Sequence, residues 1–348
     1  MQDQKKPIFE KKNIIVTGGA GFIGSHLCDE LIRNAKVICI DNFKTGELRN
    51  IEHLLSNPDF VFLRHNINDP INLESIPDLE KFKIEFQGIQ EIYNLACPMS
   101  PKDFEDNRIS TLLSNSIGVK NLLDLALKYK SKFMQFSSSV VYGPRRKENP
   151  NVKEDDLGVV DFLSYRSAYD EGKRFAETIT QNYRDIYGLN TKIIRLFRIY
   201  GPRMKLNDNQ MIPDFINDAL DNKNLLILGD ENFCSSFCYI SDCIDAVIRL
   251  MKLDNITEPI NIGSNQDINI TELANKIITI CNTQSKIIYS DPDKFMTPLC
   301  LPDIRKAKKI LAWMPIVTLE KGLQLTIDYL YANKGLRTYE DFLDKNQE

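Results

Sequence analysis

Short apolar runs rich in β-branched residues alternate with longer amphipathic segments over the first part of the chain. The runs predict strands at NIIVT, KVICI, FVFLR, EIYNLA, KFMQFSS and TKIIRLF, ending at about Phe197. The spacing between them predicts helices from about Phe22, from about Ile109 and across Ala168 to Tyr187. Such an alternation is typical of an α/β fold, a doubly wound parallel sheet covered on both faces, whose ligands bind at the carboxyl ends of the strands.

The regular alternation ends near Arg198, and shorter elements follow. The pattern predicts a helix near Ile212 to Leu220, strands at LLILG and FCYI, and a helix from Ser241 to Met251. We interpret them as a smaller mixed α/β substrate-binding domain, with the FCYI strand and its helix returning to the main sheet. The predicted main domain comprises residues 1–197 plus about 234–258, the smaller one about 198–233 plus 259–335, and 336–348 a frayed tail.

Composition narrows the classes of partner and compartment. The formal net charge of the 348 residues is -4, so we expect neither a nucleic-acid nor a membrane partner. No run approaches the roughly 20 apolar residues that span a bilayer, and the polar start at residues 1–12 does not resemble a signal peptide, which favours the cytoplasm. The eight cysteines form no C-x-x-C pair and are accompanied by three histidines, so we expect free thiols and no metal site.

A glycine-rich stretch, VTGGAGFIGSHL, joins the first predicted strand to the first predicted helix. Gly18 permits a tight turn, Gly21 lets the backbone approach a pyrophosphate, and Gly24 lets the helix pack on the strand. The N–H groups of Phe22 and Ile23 at the helix start would then face the phosphates. This context predicts a Rossmann-type dinucleotide site.

Residues at the ends of the next strands complete the predicted cofactor site. Asp41 ends the second strand, where a carboxylate binds the adenosine ribose hydroxyls and repels a 2'-phosphate, which favours NAD over NADP. The remaining predicted contacts follow the second, third and fourth strands, namely Asn42, Asn66, Ile67, Leu95 and Ala96. For Asn66 and Ile67 a plain loop role is the alternative to a place beside the adenine.

Three polar residues form the predicted catalytic group. Tyr169 and Lys173 are four residues apart on a predicted helix, which places them on the same face. An ammonium beside a phenol favours the phenolate and lowers its pKa, so Tyr169 could act as a base. Ser138, at the end of the KFMQFSS strand, could donate to the same reacting oxygen. The alternative is an ordinary pair of side chains on a helix surface.

Several motifs resemble those of the extended short-chain dehydrogenase/reductase family that acts on nucleotide sugars, and most closely its UDP-glucuronate decarboxylases. The resemblance covers about residues 12 to 332 and is carried by IDNFKTGELRNI, NLACPMSP, SNSIGVKNLLDLA, AYDEGKRFAE, GPRM followed by ND, and PDIRKAKKILAW. It implies tightly held NAD, a UDP-sugar substrate oxidised at C4 with Tyr169 as base, and a homodimer formed through the helix bearing Tyr169 and the long helix before it. A 4-epimerase, a C4 dehydrogenase/reductase, and an NAD-binding regulatory protein that lost the family substrate are the alternatives.

The chain departs from the family pattern at the expected substrate site. Val140 stands where the decarboxylases have a glutamate, and Ser139-Val140 replaces the Asp-Glu pair of the related dehydratases. The arginines expected to hold the diphosphate are replaced by Gln210, Ser235 and Cys300. The candidate substrate-binding residues are Pro98, Ser139, Val140, Arg198, Lys205 and Ser235.

Arg198 replaces an asparagine of the family pattern at the end of a predicted strand. It could bind a phosphate or carboxylate of the substrate, or it could form an internal ion pair. For Lys205 the alternative is a solvated surface lysine.

Overall fold

The computed structural model describes residues 11–99, 102, 104–148, 150–229, 231–254, 256–291 and 298–333, so the predicted tail at 336–348 lies outside it. The strands are β1 Lys12–Thr17, β2 Ala35–Asp41, β3 Phe60–Arg64, β4 Glu91–Asn94, β5 Lys132–Ser138, β6 Asn151–Val152, β7 Thr191–Leu196, β8 Ile199–Tyr200, β9 Leu225–Leu228, β10 Cys234–Ser235, β11 Cys238–Tyr239, β12 Ile260–Ile262, β13 Ile268–Asn269, β14 Ile287–Ser290 and β15 Leu301–Pro302. The α-helices are α1 Phe22–Leu31, α2 Ile84–Gln87, α3 Phe104–Leu113, α4 Val119–Tyr129, α5 Ser167–Tyr187, α6 Met211–Leu220, α7 Ile240–Lys252, α8 Ile270–Cys281, α9 Arg305–Leu311 and α10 Leu319–Ala332. Short 3-10 turns span Leu48–Asn50, Glu52–Leu54, Leu73–Ser75, Pro77–Phe82 and Ser139–Tyr142.

A parallel sheet of seven strands, in the order β12-β7-β5-β4-β1-β2-β3, forms the centre of the molecule. Helices α1 and α7 pack on one face, and α4 and α5 on the other. Successive residues of β1 pack on opposite faces of the sheet. Ile14 and Val16 join one apolar cluster, and Ile15 joins the other. The predicted doubly wound α/β sheet is therefore confirmed, and the carboxyl ends of its strands share one edge.

The strand predicted at FCYI does not join this sheet. Its residues Cys238–Tyr239 pair instead with β8 in a separate two-stranded sheet, although the helix that follows, α7, does pack against α1. The seventh strand of the main sheet is β12, whose three residues are fully buried beside β7. The main sheet therefore includes β12, which lies beyond the predicted boundary at 258, because three buried residues are too few to show a periodic pattern in the sequence.

The helix predicted from about Ile109 begins earlier, at Phe104, and it is not continuous. A π-helical segment, Ser114–Gly118, separates α3 from α4. Segments of this kind are frequent at functional sites, and this one faces the catalytic helix, where Asn115 packs against Gly172.

The smaller group of elements follows β8. Helices α6, α8 and α10 pack together, and α6 and α8 cover the parallel pair formed by β9 and β14. Asn269 caps α8 by accepting hydrogen bonds from the N–H groups of Thr271 and Glu272. These elements lie where the substrate-binding domain is predicted, and the division into two domains stays a prediction.

All eight cysteines are free thiols, as the spacing predicts. Within the described ranges, no helix has both the length and the apolar character needed to cross a membrane. In the same residues no group of His, Cys, Asp or Glu side chains is arranged to hold a metal ion.

Candidate active site

A cavity of about 850 Å³ opens at the carboxyl edge of the main sheet. Every predicted cofactor and catalytic residue lines it, namely Gly18, Gly21, Phe22, Ile23, Gly24, Asp41, Asn42, Asn66, Ile67, Leu95, Ala96, Ser138, Tyr169 and Lys173. So do the predicted substrate residues Pro98, Ser139, Val140, Arg198 and Lys205. The fold thus brings together groups that are far apart in sequence, and their individual roles stay predictions.

The glycine turn between β1 and α1 has no room for side chains on its inner side. Gly18 has a φ of +70°, and a Cβ there would lie 2.9 Å from the backbone nitrogen of Ala96. A Cβ on Gly24 would lie 2.2 Å from the carbonyl oxygen of Gly18, so this glycine allows α1 to meet the turn. Gly21 precedes α1 without a side-chain cap, which leaves the first N–H groups of the helix for a ligand.

Asp41 holds the glycine turn as well as facing the cavity. Its carboxylate accepts hydrogen bonds from the backbone N–H groups of Ala20, at 3.0 Å, and Phe43, at 2.9 Å. Burial raises the pKa of Asp41, and these two bonds oppose the rise. A carboxylate has about four lone-pair sites, so it retains acceptor capacity for ribose hydroxyls.

A second set of hydrogen bonds, which the sequence did not predict, also holds the glycine turn between β1 and α1. Asn50 donates from Nδ2 to the carbonyl oxygen of Ala20 at 2.9 Å, and the N–H of Glu47 donates to the same oxygen. After β3, Ile67 is buried in the apolar core, and its carbonyl oxygen accepts a hydrogen bond from Nδ2 of Asn121.

Tyr169, Lys173 and Ser138 meet at the end of β5. The Ser138 hydroxyl lies close enough to the Tyr169 hydroxyl to affect its pKa, and the Nζ of Lys173 lies 5.8 Å from the centroid of the Tyr169 ring. Lys173 donates to the carbonyl oxygen of Phe136 at 2.9 Å, which uses one of its three N–H donors. The predicted grouping of the three side chains is therefore present.

The predicted lowering of the pKa of Tyr169 is not found among the described residues, where the pKa is raised instead. Burial raises that pKa above its usual value, Cys97 raises it further, and the hydrogen bond from Ser138 and the charge of Arg166 oppose the rise only in part. Lys173 lies over the ring and is bonded to Phe136, so its ammonium does not dominate at the phenol oxygen.

An apolar wall faces Tyr169 where the family pattern has an acid. Val140 is buried and packs with Phe104 and Tyr169, and the two aromatic rings meet edge to face at 6.4 Å. Position 140 therefore supplies no proton donor or acceptor to the cavity.

Beneath the catalytic group lies a largely buried ion pair that sequence reasoning missed. Arg195 on β7 makes two bonds to Glu177 on α5, at 2.9 and 2.7 Å, and Ser137 donates to the same carboxylate. A further bond joins Arg195 to the hydroxyl of Tyr142. The signal was present, because Glu177 is four residues after Lys173 and shares its helix face.

Ser235 does not contact the cavity, which corrects its prediction as a substrate residue. It is buried in β10, which pairs with β13, and it does not belong to the lining. Cys300 is likewise buried, with its thiol near the carbonyl oxygen of Gly143. Only Gln210 of the three positions that lack the expected arginine lines the cavity among the described residues, and it donates to Asp208 at 3.0 Å.

The smaller elements add carboxylates to the lining that the sequence did not single out. Asp208, Asp214 and Asp218 lie on or just before α6. Asp214 accepts from the N–H groups of Asn207 and Gln210 at 2.7 and 3.0 Å, and burial raises its pKa to about 6. This side of the cavity therefore carries three carboxylates in addition to the cations Arg203 and Lys205.

The parallel sheet, the glycine turn and the Tyr169–Lys173 pair on one cavity define a dinucleotide-dependent enzyme. The chain belongs to the NAD dependent epimerase/dehydratase family, whose sequence profile matches residues 14–263. NAD fits the residues present, because the uncapped start of α1, the bare Cα of Gly21 and the Asp41 carboxylate provide for phosphates and ribose.

Known proteins of two kinds are similar to the chain. It is 36% identical over 324 residues to UDP-glucuronic acid decarboxylase 1 of Xenopus tropicalis, covering 92% of this chain and 72% of that protein. It is 38% identical over 317 residues to UDP-glucuronic acid decarboxylase 3 of Arabidopsis thaliana, covering 90% and 87%. The crystal structure of UDP-glucuronic acid 4-epimerase from Bacillus cereus with UDP-glucuronic acid and NAD has a TM-score of 0.79 at 28% identity, covering 92% and 99%.

Proposed function

We propose that this protein uses NAD to oxidise the C4 hydroxyl of a nucleotide-linked sugar, and that UDP-glucuronate is its substrate, from which CO2 is released. The observation that carries the proposal is the meeting of Ser138, Tyr169 and Lys173 at one end of the cavity, with the glycine turn at the other. The identity with UDP-glucuronic acid decarboxylases over about nine tenths of the chain supports the choice of substrate.

Residues of the chain carry out the proton transfers at the C4 oxygen. Tyr169 takes the proton of the C4 hydroxyl, while Ser138 donates a hydrogen bond to the same oxygen. NAD, when bound, accepts the hydride of C4 and later returns it. In the 4-keto sugar the bond from C5 to the carboxylate breaks, and its electron pair is delocalised onto the C4 oxygen as CO2 leaves. A proton from water then adds to C5, and Tyr169 returns its proton to the C4 oxygen on reduction.

This sequence of steps does not need an acid at position 140. The C4 carbonyl is the electron sink for CO2 loss, so the buried Val140 side chain does not block the reaction.

Epimerisation at C4 is the second candidate, and Val140 favours it. A 4-epimerase needs the hydride to leave and return on opposite faces of C4, which requires Tyr169, Ser138 and rotation of the keto sugar but no further acid or base. The resemblance of Ser-Ser-Val-Val-Tyr-Gly to 4-epimerases and the similarity to a UDP-glucuronic acid 4-epimerase support this candidate.

The test is to incubate the purified protein with UDP-glucuronate, with and without added NAD, and to follow the sugar nucleotide by NMR. UDP-xylose or a 4-keto pentose is the expected product, and UDP-galacturonate would establish the epimerase instead. An unchanged spectrum from protein that has bound NAD would contradict both and favour the regulatory alternative.

Two tyrosine variants, one a test and one its control, examine the catalytic assignment. Tyr169→Phe removes the proton acceptor and should lower turnover by about 100-fold or more, with NAD binding retained. Tyr331→Phe is the matched control, because Tyr331 is exposed on α10, outside the helices proposed to form the dimer. Unaltered turnover in Tyr169→Phe would refute the catalytic assignment.

We also propose that the protein is a cytoplasmic homodimer. Exposed apolar side chains lie on α3, the π-helical segment and α5, namely Ile109, Leu112, Leu113, Ile117, Phe175, Ile186 and Tyr187. These helices contact one another, so a second copy could cover their outer faces. The free thiols are ordinary in a reducing compartment. Light scattering coupled to gel filtration should give a molar mass twice that of the chain. A monomer mass at all protein concentrations would contradict the dimer.

A further inference from the structure

Arg198 has an unusual backbone conformation at the carboxyl edge of the main sheet. It lies between β7 and β8 with a φ of +36°. Left-handed residues other than glycine are uncommon, and asparagine tolerates this region better than arginine does. Strain of this kind persists where the surrounding structure enforces it and is concentrated at ligand sites.

The guanidinium of Arg198 has no counterion among the described residues. It lines the cavity, and its Nε is buried without a hydrogen-bond acceptor. Burial and the charge of Arg166 lower its pKa to about 10, so the group is still protonated at neutral pH. Arg195, three residues earlier on β7, shows the more usual arrangement, in which a carboxylate, here that of Glu177, pairs with the guanidinium.

A second guanidinium lies close by. Arg166 immediately precedes α5, lines the same cavity, and contacts the carboxylate of Asp170 at 3.4 Å. Its charge acts on both Arg198 and Tyr169, so it lies near both side chains. Two like charges therefore converge beside the reaction site.

Three other charged residues of the lining are less suited to bind an anion, because one is paired and two are negative. Arg203 is paired with Asp29 at 2.7 Å. Asp214 and Asp218 on α6 repel an anionic group from their side of the cavity. Within the described ranges, the Arg198 guanidinium is therefore a positive charge of the lining for which no salt bridge is found.

We propose that Arg198, together with Arg166, binds an anionic group of the substrate, a phosphate or a carboxylate, between the two guanidinium groups. This proposal rests on the proposed function, because it takes the substrate to be a nucleotide sugar. A planar guanidinium binds either group through two parallel hydrogen bonds, and the bound anion would remove the repulsion between the arginines. Arg198 then determines which substrates bind, without transferring a proton itself.

The test measures the binding of UDP, UDP-glucose and UDP-glucuronate to the NAD-loaded protein by titration calorimetry. Arg198→Asn removes the charge and suits the left-handed backbone, so its melting temperature should equal or exceed that of the wild type. Arg198→Lys keeps the charge without the planar fork and should recover part of the affinity. Arg33→Gln is the matched control, since Arg33 is exposed, pairs with Glu30 and changes the net charge equally.

We expect Arg198→Asn to weaken binding about 10- to 100-fold, the range of a charge-assisted contact, and Arg33→Gln to have no effect. An equal loss for all three ligands identifies the diphosphate as the anion, and a loss confined to UDP-glucuronate identifies the carboxylate. Wild-type affinity of Arg198→Asn for all three ligands would overturn the proposal.

Turnover separates this proposal from the proposed function. A wild-type protein that binds these nucleotides with dependence on Arg198 but converts none of them contradicts the function and keeps the anion site. A protein that converts UDP-glucuronate with no dependence of affinity on Arg198 keeps the function and overturns the anion site. A wild-type protein that binds none of the three ligands overturns both.

Discussion

Two alanine substitutions in the glycine turn should separate folding from cofactor binding. A Cβ on Gly24 would lie 2.2 Å from the carbonyl oxygen of Gly18, more than 1 Å inside ordinary van der Waals contact. A Cβ on Gly21 would meet only that oxygen among the described atoms, at 3.2 Å, and would project where the turn lines the cavity. Gly24→Ala should therefore disturb packing, whereas Gly21→Ala should chiefly obstruct the ligand.

The size of each effect follows from these contacts. Overpacking against backbone costs about 3 kcal/mol, and alanine in place of glycine within a helix returns about 1 kcal/mol. The net loss of about 2 kcal/mol corresponds to a melting temperature about 3 °C lower, because the unfolding entropy of 348 residues is about 0.7 kcal/mol/K. Gly21 has a φ of -77° and a ψ of 177°, which alanine adopts readily, so Gly21→Ala should melt like the wild type.

Thermal unfolding and calorimetric titration with NAD measure the two effects separately. Gly21→Ala should bind NAD at least about tenfold more weakly, which corresponds to about 1.4 kcal/mol. Wild-type affinity in Gly21→Ala would show that the pyrophosphate does not approach this turn. Wild-type stability in Gly24→Ala would show that the turn yields to a methyl group, contrary to the packing argument.

Three further substitutions test the supports of the cavity. Asp41→Asn should weaken NAD binding and reduce the preference for NAD over NADP, because an amide repels a 2'-phosphate less; an unchanged preference in titrations with both cofactors would argue against Asp41 as the discriminating group. Glu177→Gln should lower the free energy of unfolding by about 3 kcal/mol, because it leaves the buried Arg195 without a counterion, whereas Glu171→Gln in an exposed pair with Arg174 should change it by less than about 0.5 kcal/mol; equal effects in denaturant unfolding would refute this distinction. The pKa of Asp214 is raised to about 6, so the folded state binds a proton there more readily than the unfolded state, and this protonation contributes stability that is fully present below about pH 4 and lost as the pH rises through 6. The wild type should therefore gain stability relative to Asp214→Asn when the pH falls from 7 to 4.5. A difference in stability that stays constant over this range would contradict the assignment.

The sequence by itself determined the features that depend on neighbouring residues and on simple periods. Alternating apolar runs predicted the parallel sheet, and the three glycines between β1 and α1 predicted a turn that the distances at Gly18 and Gly24 now explain. The spacing of Tyr169 and Lys173 placed both on one helix face, because a helix repeats every 3.6 residues whatever surrounds it.

Only the tertiary structure decided the features that depend on burial and on partners distant in the chain. It removed Ser235 from the cavity, added β12 to the main sheet, and raised the pKa of Tyr169 where the sequence predicted a lower one. It also left Arg198 without a counterion among the described residues, although the sequence allowed an internal ion pair equally. Desolvation and ion pairing act over a few ångströms in space, and the sequence spacing between two residues does not specify that distance.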